Sequence, residues 1–210
     1  MNYYIDFDST LYNTSGLTEA MLKALSSSIH IENQSLSELD MYNEAKKLFN
    51  HNNIYNIFEL CRYFAKNYNL DANKLISDVN LVIDNGTSLV YEDSVDFLKT
   101  LKSYNHKIHL LTYSSQESLD YQMRKIQGSD LVKYIDNLII TSTPKWQLDL
   151  NYSNGVFVDD SPSDLIGLYN QHALEVIRIK RNGNQYSLQP LPDNINIQEV
   201  KSLLEIKIGE

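Results

Sequence analysis

Five short, largely apolar runs, at residues 3–7, 107–113, 137–141, 155–158 and 174–179, set the strongest limit on what this chain can fold into. Ile, Leu, Val and aromatic residues follow one another in them with little polar alternation, the pattern of strands covered on both faces. Each run is followed by a polar or helical segment. The expected fold class is therefore α/β, a doubly wound parallel sheet with crossover helices. Between the first two runs about ninety residues intervene, whereas one crossover needs a dozen or so. That excess predicts an insertion. Its segments 17–28, 36–49, 55–68 and 71–83 repeat apolar residues every three or four positions, as in Ile57, Leu60, Tyr63 and Phe64. Asn69, Asp71, Asn85 and Gly86 supply the breaks. The sequence thus predicts a helical bundle inserted over residues 14–88, with residues 1–13 and 89–210 forming the α/β core, and a helix at 93–103 returning the chain to the sheet. Tyr and Phe residues of the bundle read as core packing.

At 210 residues the chain can build one substantial core plus such an insertion. Its formal charge of −9 speaks against gripping a nucleic-acid polymer, which takes clustered Lys and Arg. A small phosphorylated ligand remains compatible if a local cation offsets the repulsion. No stretch approaches the ~20 apolar residues of a membrane span. The opening run leaves no room for a secretory signal, and Cys61 has no second cysteine to pair with. A cytoplasmic location is expected. The oligomeric state is not legible.

In an open parallel sheet, ligands gather beyond the carboxyl ends of the strands. The first run ends at Asp6 and Asp8, the second at Thr112 with Ser114 and Ser115 beyond it, and the fourth at Asp159 and Asp160, followed by Asp164. Lys145 lies between the third and fourth. Asp6 and Asp8 are two residues apart, and alternate side chains of an extended segment point the same way. Oxygen ligands for a hard divalent cation, donors for phosphate oxygens and a nucleophile therefore converge on one edge.

These residues, in this order, resemble the haloacid dehalogenase-like superfamily of phosphohydrolases. The resemblance rests on "DFDST" (Asp6, Asp8, Thr10), "LLTYS" (Thr112), Lys145 and "VDDSPSD" (Asp159, Asp160, Asp164). It spans the sheet-forming parts of the chain and leaves out the inserted bundle, which in this family is the variable cap. The resemblance implies that Asp6 is the nucleophile carrying an aspartyl-phosphate, and that Asp8 is the acid for the leaving group and then the base for water. It implies that Thr112, with Ser114 beyond it, binds phosphate oxygens while Lys145 offsets charge. A magnesium (Mg2+) site would be completed by the Asp6 carboxylate, the Asp8 carbonyl and Asp160, with Asp159 beside it. Either member of that pair could bind directly, although Asp160 stands four positions before Asp164, the family's usual spacing. Thr10 and Asp164 would support the site from behind. The carboxylate at Asp8 favours phosphate chemistry over carbon–halogen cleavage, because halide leaves unprotonated. The implied function is magnesium-dependent hydrolysis of a small phosphorylated metabolite. The alternatives are a phosphosugar mutase of the same fold and a non-catalytic protein that binds a phospho-ligand.

Other readings of the same residues bear on these assignments. A calcium loop starting at Asp6 would need Gly and Glu where Leu11 and Leu17 stand. Ser161, Pro162 and Asp164 also read as a helix start, as do Ser114 and Glu117. Lys133 competes with Lys145 for the cationic role. The five histidines share no metal-like spacing, and His109 reads as a core residue. Tyr12, Asn13, Arg62 and Tyr63 are candidate substrate contacts.

Overall fold

The computed structural model describes residues 1–51, 56–150, 155–172, 175–184 and 186–209, with the side chains of residues 50, 51, 171 and 172 excepted. Tyr55 and Leu174, placed by the sequence at the ends of a helix and a strand, lie outside the described residues. So do the side chains of His51 and His172. Among the described residues no helix is long and apolar enough to cross a membrane.

Among the described residues six strands, β1 (Asn2–Ile5), β2 (Lys107–Tyr113), β3 (Asn137–Thr141), β4 (Gly155–Asp159), β5 (Glu175–Ile179) and β6 (Gln198–Val200), form one sheet in the order β3-β2-β1-β4-β5-β6. Every pairing is parallel. The chain moves outward from β1 through β2 to β3, then returns to the other side of β1 for β4, β5 and β6. The gap between β1 and β4 is thus a topological switch point, where connections leave in opposite directions and a crevice opens.

Among the described residues there are seven α-helices: α1 (Thr14–Glu32), α2 (Glu38–His51), α3 (Ile57–Tyr68), α4 (Ala72–Asp84), α5 (Glu92–Ser103), α6 (Leu119–Gly128) and α7 (Pro162–His172). The chain divides into two compact units, one of Met1–Ser15 with Thr87–Glu210 and one of Gly16–Gly86. In the first, successive residues of β1 face opposite sides of the sheet. Tyr3 meets Phe97 of α5 edge-on at 6.3 Å, while Tyr4 joins Leu111, Phe157 and Val176 against Leu165 and Leu168 of α7. Both faces are covered, which is why the runs carry so little polar alternation. Full burial of each such aliphatic or aromatic side chain contributes about 1.5–3 kcal/mol. Gly167 of α7 lies against Trp146, and a methyl group there would sit 2.3 Å from ring carbons of that indole. The close approach fixes the segment that carries Lys145 against α7.

In the second unit, helix ends follow local chemistry. The Asn56 side chain accepts from the Phe58 amide at 2.9 Å and the Asp71 side chain from the Asn73 amide at 2.8 Å, while Asn69 closes α3 in the left-handed region. Cys61 is fully buried, and burial pushes its thiol up to about 12, which makes it unreactive.

Three details differ from the sequence expectation. The first strand stops at Ile5, because residues 7–12 curl into a turn. β6 was not anticipated: "QEV" is a three-residue edge strand with one buried side chain and carries no apolar signature. The start expected from Ser114 and Glu117 is not formed; the Ser114 hydroxyl donates to the Ser115 carbonyl at 3.1 Å, and a single 3-10 turn begins only at Gln116.

Candidate active site

The turn after β1 sets the geometry of the two leading carboxylates. The Asp6 amide donates to the Val158 carbonyl at 2.9 Å, which holds Asp6 in line with the end of β4. Ser9 then adopts φ 59°, and the amides of Leu11 and Tyr12 both donate to the Phe7 carbonyl at 3.1 Å. A left-handed non-glycine residue costs about 1–2 kcal/mol, and here the surrounding hydrogen bonds impose it. The turn is anchored from outside by Arg181, whose guanidinium donates to the Thr10 carbonyl at 2.8 and 3.2 Å and to Asp93 at 2.7 and 2.8 Å. The same guanidinium lies 4.1 Å from the Tyr91 ring centre. Thr10 itself is fully buried, and among the described residues its hydroxyl has no hydrogen-bond partner.

At the switch point one lysine meets two carboxylates. Lys145 Nζ donates to Asp6 Oδ1 at 2.5 Å and to Asp159 Oδ2 at 2.6 Å. Side-chain exposures of 3%, 6% and 0% for Lys145, Asp6 and Asp159 leave almost no solvent to screen the charges. The competing Lys133 is exposed and pairs with Asp130. Asp159 also accepts from the Ser161 amide at 2.7 Å. Asp160 accepts from the Asn184 side chain. Asp164, in the first turn of α7, accepts from the Lys145 amide at 3.3 Å and so ties the lysine's loop to that helix. Pro162 is the first residue of α7, as its fixed φ favours.

Asp6, Asp159 and Asp160 each offer an oxygen within 4.8 Å of the others. Three buried carboxylates with one ammonium leave an excess of negative charge. Burial and the neighbouring carboxylates Asp159, Asp160 and Asp8 push Asp6 well up, against the opposing charge of Lys145. Burial and then Asp159 bring Asp160 to about 7. Burial and Asp159 also raise Asp164. Lys145 is held in its charged form by Asp159 and Asp6, which outweigh its own burial. An all-oxygen donor set with surplus charge fits a hard divalent cation.

Asp8 has a separate environment. Its Oδ1 accepts from Lys125 Nζ at 2.5 Å and from the Thr14 hydroxyl at 2.6 Å, and its Oδ2 accepts from Gln122 Nε2 at 2.7 Å. Burial raises its pKa, but the Lys125 charge and the hydrogen bonds from Lys125, Thr14 and Gln122 outweigh that and carry it below the usual carboxylate range. Gln122 Nε2 also donates to the Thr112 hydroxyl at 3.0 Å. Thr112 and Ser114 are both buried at the end of β2, and the Ser114 amide donates to the Thr141 carbonyl at 2.8 Å. His109 stacks on Tyr4 at 4.6 Å and bonds to Asn2 and Asn137, far from being a ligand. Tyr12 is fully buried and stacked on Phe7, whereas Arg62 and Tyr63 are exposed on α3.

Sequence reasoning missed Gln122, Lys125, Asn184 and Arg181. The first two carried one usable signal: they sit three apart on α6, on the same buried face as Ile126, where apolar residues would be expected. Asn184 and Arg181 lie in a polar stretch after β5 that reads as an ordinary loop.

No family model matches the chain, and no curated protein is similar to it in sequence. Solved structures are similar in fold. A HAD phosphatase from Thermococcus onnurineus aligns with a TM-score of 0.57 at 19% identity, covering 97% of this chain and 94% of that one. A haloacid dehalogenase-like family hydrolase from Xanthomonas campestris aligns at 0.60 and 13% identity, covering 97% and 91%. The CbbY protein of Rhodobacter sphaeroides, solved as a mutant in complex with xylulose-(1,5)bisphosphate, aligns at 0.55 and 12%, covering 97% and 95%. The chain has the fold of the haloacid dehalogenase-like hydrolases.

Proposed function

We propose that this protein is a divalent-metal-dependent phosphohydrolase that cleaves a small phosphorylated metabolite through an aspartyl-phosphate on Asp6. The observation that carries the reading is the buried cluster of Asp6, Asp159 and Asp160 bridged by Lys145 at a switch point of this fold. The solved structures of the same fold named a phosphatase and a sugar-bisphosphate complex support it. Asp6, Asp160 and Asp159 would hold Mg2+ together with the Asp8 carbonyl. Bound there, the cation would supply Lewis-acid stabilisation of the phosphoryl oxygens and keep Asp6 ionised.

Within this reading, an Asp6 carboxylate oxygen attacks phosphorus, and the bond from phosphorus to the ester oxygen breaks. Asp8 gives the departing alcohol its proton. Asp8 then takes a proton from water as that water attacks the aspartyl-phosphate, and phosphate leaves with Asp6 restored. Lys145 and Thr112 stabilise the charge that gathers on the transferring group. Ser114 would contribute a donor from the same strand end, and Thr10 and Asp164 would hold the turn and the lysine loop in place. The Lys125 charge and the hydrogen bonds that lower the Asp8 pKa keep this carboxylate ionised in the free protein, so the proton it gives the alcohol is taken up with the substrate.

The test is metal dependence read in two ways. Chelated protein should lose hydrolysis of phosphate esters and regain it with Mg2+, and Mg2+ alone should raise Tm. The sign of the pH effect follows from Asp160. Its raised pKa means that the folded, metal-free chain keeps a proton the unfolded chain has released, so stability falls as pH rises from about 4 to about 7. The Mg2+-induced rise in Tm should accordingly be larger at pH 8 than at pH 5.5. Undiminished hydrolysis after complete chelation would exclude the reading.

A further inference from the structure

Lys125 is the one buried ammonium at this sheet edge, among the described residues, that the proposed chemistry does not use. Its side chain is 4% exposed and sits 5.1 Å from the Tyr121 ring centre and 5.9 Å from that of Phe7. Taking an ammonium out of water costs several kcal/mol, and a well-packed apolar pair often serves stability as well as a buried ion pair. Stability alone therefore gives little reason for a lysine here. Its partner gives one. Lys125 and Thr14 share one oxygen of Asp8 while Gln122 takes the other, so the carboxylate plane is fixed by three donors from two elements. Gln122 uses the same amide nitrogen to reach Thr112, which couples the position of Asp8 to the strand end expected to hold the phosphoryl group.

We infer that Lys125, with Gln122 beside it on α6, is a positioning residue that sets the Asp8 carboxylate for proton exchange with the leaving group. The inference rests on the proposed phosphohydrolase reading. Neither residue needs to touch the substrate. A carboxylate held by one flexible contact would sample several rotamers, whereas this one is presented in a single orientation, and a misplacement of about 1 Å can cost 10²-fold in rate.

The experiment compares phenyl phosphate with 4-nitrophenyl phosphate, esters of similar size whose leaving groups differ in their need for a proton. The quantity read is kcat/KM, which reports formation of the phosphoenzyme. Lys125→Met should lower the phenyl-to-nitrophenyl ratio of kcat/KM by about tenfold or more, as partial loss of acid catalysis predicts. Lys125→Arg should restore most of the ratio, because the cation and its donors return. Gln122→Met should shift the ratio in the same direction by less, and it carries the test if Lys125→Met does not fold. The Mg2+-induced rise in Tm should be kept in every variant. A purely structural lysine would lower both esters equally, and an unchanged ratio in Lys125→Met and Gln122→Met would overturn the inference while the hydrolase reading stands. Wild-type protein that cleaves neither ester would overturn both together.

Discussion

Asp6→Asn should lose at least about 10⁴-fold in turnover while keeping its fold, the scale expected when a covalent nucleophile is removed from an otherwise intact site. An amide is nearly isosteric with the carboxylate, so the backbone bond from Asp6 to Val158 and the turn through Ser9 are undisturbed. The chemistry is another matter. An amide oxygen is a poor nucleophile toward phosphorus and a weaker ligand for a hard cation. Because Asp6 is one of several carboxylates crowded around Lys145, removing its charge should leave the metal-free protein at least as stable as the wild type, with Lys145 still paired to Asp159. The expected signature is therefore dissociated: activity lost, Tm in chelator unchanged or raised, and the Mg2+-induced rise in Tm diminished. Steady-state kinetics and paired melting curves read all three.

Lys145→Met should do the reverse to stability. Removing one partner of a buried ion pair leaves an uncompensated charge, worth about 3–5 kcal/mol. Here one lysine serves both Asp6 and Asp159, with side chains 6% and 0% exposed. The loss should be greatest in chelator at high pH. Without the ammonium that opposes it, the folded chain holds a proton on Asp6 still more strongly than the unfolded chain does, so stability falls further as pH rises. Added Mg2+ should recover part of the loss, because a divalent cation among Asp6, Asp159 and Asp160 replaces the missing charge. Chemical denaturation at pH 5.5 and pH 8, with and without Mg2+, measures each part. A variant as stable as wild type in chelator at pH 8 would show that the three carboxylates do not share their charge as the geometry requires.

What could be read from the sequence divides along physical lines. The inner strand β2 was legible because burial on both faces writes itself as an apolar run, and it falls on the anticipated residues; the edge strand β3 does too, because its "LII" keeps an apolar run although it is only partly buried. β6 was not legible, since an edge strand of three residues with one buried side chain leaves no such trace. The strand-end carboxylates stood out for the same reason the strands did: Asp6 and Asp159 follow apolar runs immediately, and β1 and β4 are hydrogen-bonded neighbours. Lys145 was harder. A loop lysine is ordinarily solvated, and only the fold reveals that Asp164 and the contact between Gly167 and Trp146 hold its loop against α7. Lys125 left only a faint trace. It shares the face of Ile126 with Gln122, but what gives it a role is a carboxylate 117 positions away in the chain.

Where the phosphoryl group resides during turnover tests the account most directly. Asp8→Asn should still accept phosphate from 4-nitrophenyl phosphate, whose leaving group needs little protonation, but should lack the base that activates water. Rapid acid quenching followed by intact-mass and peptide analysis should find one phosphoryl group per chain on Asp6, accumulating in Asp8→Asn and absent from Asp6→Asn. Phosphate on any other residue, or an Asp8→Asn protein that turns over at the wild-type rate, would contradict the central claim.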